Sequence, residues 1–574
     1  MLATYNRCDV LARTLPTVLQ QNFPGDQYEV ILVVDGSSDG TQRMLASVAS
    51  ACDLQVIVQS NQGPAAARQR ALGSARGEFV FFTDDDIQLS PDVLGEHLIV
   101  HRGSPNPCMV RGTLRLAEGS PRTLAADATR QWYERHEQSF DPETNGAQIP
   151  QDFLIFANTS VRRDLLERVG GFDVTLPFPQ EGFELLLRLH QHGVALRSAK
   201  SATAYEFYAK STRSMITSDA RGMGRAEWLL GLKHPANRKH SVFAAIGQGN
   251  SRKRRIRKLL AESGLGNSAL NATIRAAEAL RNLAAIRRVG LRALQLRYRT
   301  EILSSGAKAA GSWNALERAY GARLPVLMYH HVGPRNPLSF FELTIEPKQF
   351  EQQVVWLKEN HFTTITPSDW IAWVQEGKPL PEKPILLTFD DAYSDIFDHA
   401  MPILEKFGFR ATVFVVTSLI GGMDEWNEVR GSKSVFRLAD QEQIQTWAKR
   451  NVDFGSHTQS HFDLTKLTPD ALAAELDGSI RVLGDLLGPH SFTFAYPFGL
   501  INRHVEAQVR TRFTSAFSVL SGVNTLSTDL YQLQRLMVHP LASPSDFALM
   551  VESGVLRFSL RGRITRKLRG WLSR

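Results

Sequence analysis

The chain is 574 residues long, with 43% apolar and 22% charged residues, which excludes a largely disordered protein and requires several domains rather than one core. Its formal charge of +8 is concentrated in two stretches: residues 252–300 hold 13 basic and 2 acidic side chains, residues 557–574 hold 7 basic and none acidic, and the remainder is net acidic, unlike a general nucleic-acid binder. No window has the apolar length of a spanning helix, Met1–Arg13 lacks an apolar signal core, and Cys8, Cys52 and Cys108 are odd in number and widely spaced, so the expected place is the cytoplasm, with peripheral contact at the inner face of a membrane.

Residues 1–235 alternate short apolar runs with helical stretches. Glu29–Val34 and Glu78–Thr83 are strand candidates that end in acidic residues, Gln55–Gln59 is a third, and Ala65–Ala75 is a helix. Such alternation predicts a mostly parallel sheet with ligands at the carboxyl ends of its strands. Residues 236–320 turn to Arg, Ala and Leu at helical spacing and read as a basic helical linker. From Leu324 to about residue 550 the alternation returns. Six strand candidates (residues 325–330, 384–391, 411–417, 452–457, 492–499 and 514–520) suit a parallel barrel. Residues 551–574 form a basic amphipathic tail. The fold class is α/β throughout.

Asp35 closes the second strand, in VVDGSSDGT, and Asp84, Asp85 and Asp86 close a later one, in TDDD. Carboxylates crowded at neighbouring strand ends repel unless a cation or donors compensate, and Mg²⁺ favours one or two carboxylates together with phosphate oxygens. With ATYNR (Ala3–Arg7), NQGPAAARQRAL (Asn61–Leu72), the stretch around Asn158, GGFD (Gly170–Asp173) and FELLLRL (Phe183–Leu189), these segments resemble a family 2 glycosyltransferase of the GT-A, Rossmann-like fold. The resemblance implies that Asp35, Arg68 and Asp85 serve the nucleotide sugar and that Asp84 and Asp86 hold Mg²⁺ or Mn²⁺ at its diphosphate. Two departures stand out. Only Met1–Ala3 precede the TYNR segment, so the first strand is expected to be missing or truncated. Gly182 stands where the family places its Asp base, leaving Glu181 and Glu184 as substitutes for deprotonating the acceptor. The Gln-x-x-Arg-Trp motif of processive synthases is absent.

TFDD (Thr388–Asp391) ends another strand, and HTQSH (His457–His461) follows downstream. Two histidines four apart plus a carboxylate make three protein ligands and leave a position open, the form of a catalytic zinc site, where the ion lowers the pKa of water toward about 7 and polarises a carbonyl. Together with PVLMYHHVG (Pro325–Gly333) and FAYPFG (Phe494–Gly499), this set resembles the polysaccharide deacetylase (NodB-homology, carbohydrate esterase family 4) domain, a distorted (β/α) barrel. The resemblance implies Asp390 as base, Asp391, His457 and His461 as Zn²⁺ ligands, a Tyr496 backbone oxyanion donor, Arg535 as the group orienting the base, and His539 as the acid. His330 is the alternative polar group near the barrel mouth.

In the tail, Leu560, Ile564, Leu568, Trp571 and Leu572 alternate with basic residues, a pattern suited to an anionic membrane surface. The sequence therefore supports a bifunctional carbohydrate enzyme acting on a glycan or lipid-linked sugar and a nucleotide sugar. Two alternatives remain: an active deacetylase with a degenerate sugar-nucleotide-binding domain, and a membrane or nucleic-acid adaptor. Nucleic acid is not an expected partner, because no nucleic-acid module is present.

Overall fold

The computed structural model describes the chain outside residues 139–144, 151–152, 250, 265, 335–342, 425, 427–435, 451 and 556–574. The basic tail therefore lies almost wholly outside the described residues. The chain divides into two compact units, Met1–Lys233 with Ile256–Trp313, and His234–Arg255 with Asn314–Arg574. Among the described residues no helix is long and apolar enough to cross a membrane.

The first unit contains two sheets. β1 (Leu2–Thr4), β2 (Glu29–Asp35) and β3 (Asp53–Gln59) run parallel, with Thr4 opposite Val34 and Asp35 opposite Gln59. The first strand is thus present, contrary to the sequence expectation: three residues suffice because Leu2 and Thr4 are buried against a β2 whose apolar run is covered on both faces. The second sheet is mixed, in the order β4 (Phe79–Phe82), β7 (Thr159–Arg162), β6 (Cys108–Leu116), β8 (Ala195–Glu206), β5 (Ile87–Leu89). β2 and β4 deliver Asp35 and the Asp84–Asp86 run at their carboxyl ends, and β8 ends at Glu206.

Helices from residues 256–313, read from sequence as part of a linker, pack within this unit. Ile274 and Ala277 of Asn267–Ala279 and Leu291 and Leu294 of Ala284–Ala309 form one buried cluster with Leu124 and Ile216. Gly224 allows the Ala220–Lys233 helix to approach closely: a Cβ there would meet Ile302 O at 2.3 Å. Arg221 and Arg297 bracket the Glu301 carboxylate at 2.6 and 2.7 Å.

The second unit is built on one parallel sheet. Its strands are β9 (Val326–Tyr329), β10 (Thr363–Thr364), β11 (Pro384–Phe389), β12 (Ala411–Val415), β13 (Val452–Ser456), β14 (Phe494–Ala495), β15 (Ala516–Phe517) and β16 (Leu536–Met537). The order is β15-β14-β13-β12-β11-β9-β16, with β10 beside β11. Every residue of β9, β11 and β12 is buried, as expected for parallel strands covered on both faces. Leu533 pairs with β15, and β16 pairs with β9 only three residues later, so this segment curls the sheet into a distorted barrel. Each of the six anticipated runs contains a strand. β10 and β16, two residues each, fall outside those runs.

Candidate active sites

The barrel strands converge their carboxyl ends on a pocket of about 600 Å³, lined by His330, Asp390, Asp391, Tyr393, Trp426, His457, His461, Tyr496, Phe498 and Arg535 among others. β9 leads into His330, β11 into Asp390 and Asp391, and β13 into His457. The backbone turns sharply here. Asp391, Ala392, Thr458, His461 and Phe498 all have positive φ, between 56° and 70°, conformations that cost roughly 1–3 kcal/mol each and persist where surrounding structure enforces them.

Asp391, His457 and His461 form a buried trio whose ligand atoms lie within 4.8 Å of one another. Asp391 Oδ1 accepts no hydrogen bond among the described residues, and faces His457 Nε2 at 3.4 Å and His461 Nε2 at 3.3 Å. His457 donates its Nδ1 proton to Ala495 O at 2.8 Å, which turns the Nε2 lone pair toward the carboxylate. Two imidazole nitrogens gathered around a buried carboxylate oxygen that accepts no hydrogen bond among the described residues fit a cation. Burial, then the charge of Asp390, push the Asp391 carboxyl well above its ordinary range, and a cation would relieve both.

Asp390 has a different environment. Burial works against its charge, but Arg535 first and His457 next outweigh it and hold the carboxyl below its ordinary range. Arg535 Nη1 donates to Asp390 Oδ1 at 2.5 Å, and its Nε donates to Ser518 O at 2.9 Å, so the guanidinium is held at both ends. Both side chains are buried.

Two sequence expectations fare differently. The Tyr496 amide donates to Phe517 O at 3.2 Å as part of the sheet, which removes it as an oxyanion donor; its hydroxyl donates to Tyr531 O. His539 is buried, accepts from the Leu541 amide at 3.1 Å, and is not among the pocket-lining residues, whereas His330 is. The Met-Val-His spacing places His539 beyond the end of β16. Burial, opposed next by Asp390, brings His330 down to about 4. Trp426 and Phe498 flank the His461 ring at 4.3 and 4.4 Å, an aromatic rim that the sequence did not single out.

The first unit has its own cleft, of about 420 Å³, lined by Arg7, Asp35, Arg68, Asp84, Asp85, Asp86, Phe156, Glu181, Gly182, Glu206 and Lys210 among others. Asp35 is engaged by the loop before the Pro64–Ser74 helix: Oδ1 accepts from Gln59 Nε2 at 2.8 Å and the Gln62 amide at 2.9 Å, and Oδ2 accepts from the Gly63 amide at 2.9 Å. Arg68 bridges Asp84, at 2.6 Å, and Glu181, and lies over the Phe156 ring. Arg7 spans Asp85 at 3.2 Å and Asp86 at 2.9 Å, and Thr4 donates to Asp85 at 2.8 Å. Arg7, Phe156 and Glu206 were not assigned roles from sequence. Arg7 lies in the quoted TYNR segment, and Glu206 ends its strand on an acid, as β2 does.

Acids outnumber bases in this cleft. Burial, with Asp86 adding to it, brings Glu206 up to about 7, while Tyr133 donates to it at 2.6 Å; burial likewise brings Asp85 to about 7 against the pull of Arg7. That surplus fits a divalent cation, although Asp84 and Asp86 are each already paired with an arginine. Glu184 pairs with Arg188 at 2.7 Å, and Arg188 donates to Gly171 O, so this acid braces the GGFD turn and does not line the cleft. Glu181 does line it, with burial raising its carboxyl above the ordinary range despite Arg68. At Gly182 a Cβ would sit 2.4 Å from the Phe156 ring, so no acid can occupy that position while Phe156 stays in place.

Comparison with known proteins gives a family match in each unit. The profile of the glycosyl transferase family 2 matches residues 1–170, and that of polysaccharide deacetylase matches residues 377–513. YxkH of Bacillus subtilis, which carries the name of a polysaccharide deacetylase, is 30% identical over 233 residues, 40% of this chain and 77% of the relative. The poly-beta-1,6-N-acetyl-D-glucosamine N-deacetylase of Staphylococcus epidermidis is 26% identical over 232 residues, 37% of this chain and 78% of the relative. The Streptococcus pyogenes deacetylase PplD, solved with acetate, aligns at 25% identity and TM-score 0.36 over 40% of this chain and 99% of that one. The chain belongs to the polysaccharide deacetylase family, and joins to that domain a family 2 glycosyl transferase domain.

Proposed function

We propose that the protein is a bifunctional carbohydrate enzyme that removes N-acetyl groups from an N-acetylhexosamine glycan or lipid-linked sugar and transfers a sugar from a nucleotide donor. The observation that carries the deacetylase half is one pocket holding an Asp391, His457, His461 trio beside an arginine-held Asp390 and His330. The substrate class is supported by the name of the staphylococcal relative. A Zn²⁺ ion held by Asp391, His457 and His461 would supply Lewis-acid polarisation of the acetyl carbonyl and acidify water.

The chain's own groups do the rest. Asp390, kept ionised by Arg535, takes a proton from the attacking water. His330, neutral in the resting pocket, relays a proton to the departing nitrogen as the C–N bond breaks, giving acetate and a free amine. Trp426 and Phe498 offer faces on which a sugar ring can rest. We assign the acid to His330 in place of His539 because only His330 lines the pocket. In the first unit, Asp35 and Arg68 would shape the donor site, and Asp84 and Asp86 would be the carboxylates to hold Mg²⁺ or Mn²⁺ beside the diphosphate.

A second reading keeps the deacetylase and reduces the first unit to sugar-nucleotide binding. It is favoured by Phe156, which closes off position 182, and by Arg68, which engages Glu181. Isothermal titration with nucleotide sugars, run beside a turnover assay on the full chain, separates the two. Turnover supports transfer, and binding without turnover supports the second reading.

A further inference from the structure

The helices Asn267–Ala279 and Ala284–Ala309 form a hairpin with two unlike faces. The inner face is apolar and buried, as described above. On the outer face of Ala284–Ala309, Arg288, Val289, Arg292, Leu296 and Arg299 recur at helical spacing and are all exposed. Val289 is 55% and Leu296 46% exposed, and the connection between the helices adds Leu280 at 50% and Leu283 at 56%.

This surface lacks compensating acids. Glu278 turns inward, accepting from the Leu124 amide at 3.0 Å, and Glu301 is bracketed by Arg221 and Arg297. Among the described residues, ion pairs engage only Arg287, 3.9 Å from Asp127, and Arg297 of this hairpin. Arg275, Arg281, Arg288, Arg292 and Arg299 keep their charge for a partner.

We propose that this face docks on an anionic lipid surface, with Leu280, Leu283, Val289 and Leu296 entering the headgroup–acyl boundary and the arginines binding lipid phosphates. A polyanion such as RNA would satisfy the arginines but leave four large apolar side chains in water, whereas a bilayer interface satisfies both. The inference goes beyond either activity, because membrane binding needs no catalysis and is read without it.

The test is flotation of the full-length protein with vesicles of phosphatidylglycerol and phosphatidylcholine in equal parts, against pure phosphatidylcholine. Two variants are compared with wild type: Leu280→Ser with Leu283→Ser and Val289→Ser, and Arg288→Glu with Arg292→Glu and Arg299→Glu. All six positions are exposed, and unchanged melting verifies folding; the Lys substitutions at the three arginines serve as a charge-conserving control that keeps binding. Wild type is expected to float only with the anionic vesicles. The charge variant loses on the order of a hundredfold in affinity, at about tenfold or less per arginine. The apolar variant loses about tenfold or more. Absence of wild-type binding overturns the proposal, as does wild-type flotation by either variant. Loss in the charge variant alone, with the apolar variant intact, reduces the contact to charge attraction without insertion and also overturns it.

Discussion

Gly182→Ala separates packing from propensity at the position where the transferase family carries its base. Gly182 is the second residue of the helix Glu181–Gln191, and exchanging a helical glycine for alanine ordinarily stabilises by up to about 1 kcal/mol. Here the added Cβ would lie 2.4 Å from Phe156 Cγ and Cδ2 and 2.9 Å from its Cβ, so the ring must move. Phe156 stacks on Phe82 at 4.7 Å between ring centres and lies under Arg68, which leaves little room to yield. Overpacking of this kind costs about 1–3 kcal/mol, so the net change runs from near zero to about 2 kcal/mol of destabilisation. Gly95, in the first turn of the helix Val93–Gly103, has nothing within 4 Å of its Cβ position and provides the control: Gly95→Ala stabilises. Urea and thermal unfolding of both variants in the full chain should therefore move in opposite directions. Phe156→Ala should remove most of the penalty of Gly182→Ala, as a coupled pair does. If Gly182→Ala stabilises as much as Gly95→Ala, the packing argument fails, and with it the account of why Gly182→Asp alone would not restore a base.

Three further outcomes are expected. His330→Gln should lower deacetylation by about 10²–10⁴-fold while His539→Gln has a much smaller effect, and the reverse order would return the acid to His539. Arg535→Met should destabilise the chain by about 3–5 kcal/mol by leaving Asp390 buried without its partner, which unfolding measurements would read directly. Burial holds His97 at about 3 and His101 at about 4, below the ordinary 6.5 of the unfolded chain, so their contribution is complete above pH 6.5 and is lost as pH falls from 6.5 toward about 4 for His101 and about 3 for His97. Each can contribute a slope of about 1.4 kcal/mol per pH unit. His97→Gln should flatten the acid limb of stability against pH, and an unchanged limb would contradict this.

The trio of Asp391, His457 and His461 was legible because its members come from two short motifs at the ends of strongly apolar strands, and Arg535 was legible as a basic residue near a late strand. Position relative to the pocket was not. His539 and His330 differ by where β16 and β9 end, and a two-residue strand carries no periodic signal. The Tyr496 amide is taken by β15, a pairing between segments that the sequence does not reveal. In the first unit, the strand-end acids were visible but their partners were not: Arg7 reaches Asp85 and Asp86 across the fold, and Phe156 meets Gly182 from a distant segment. The short β1 looked missing because three residues give no alternation, yet long-range pairing with β2 supplies what local sequence lacks. The arginine-rich helices read as a linker because composition reports their outer face, while the alanines and leucines that bury their inner face look the same in either setting.

The most direct test of the central claim is metal content measured beside acetate release from an N-acetylglucosamine oligomer, for wild type and Asp391→Ala. Wild type should hold about one divalent ion per chain in the deacetylase site, and both that ion and the acetate release should be lost in the variant. Full acetate release by Asp391→Ala under metal-controlled conditions would contradict it.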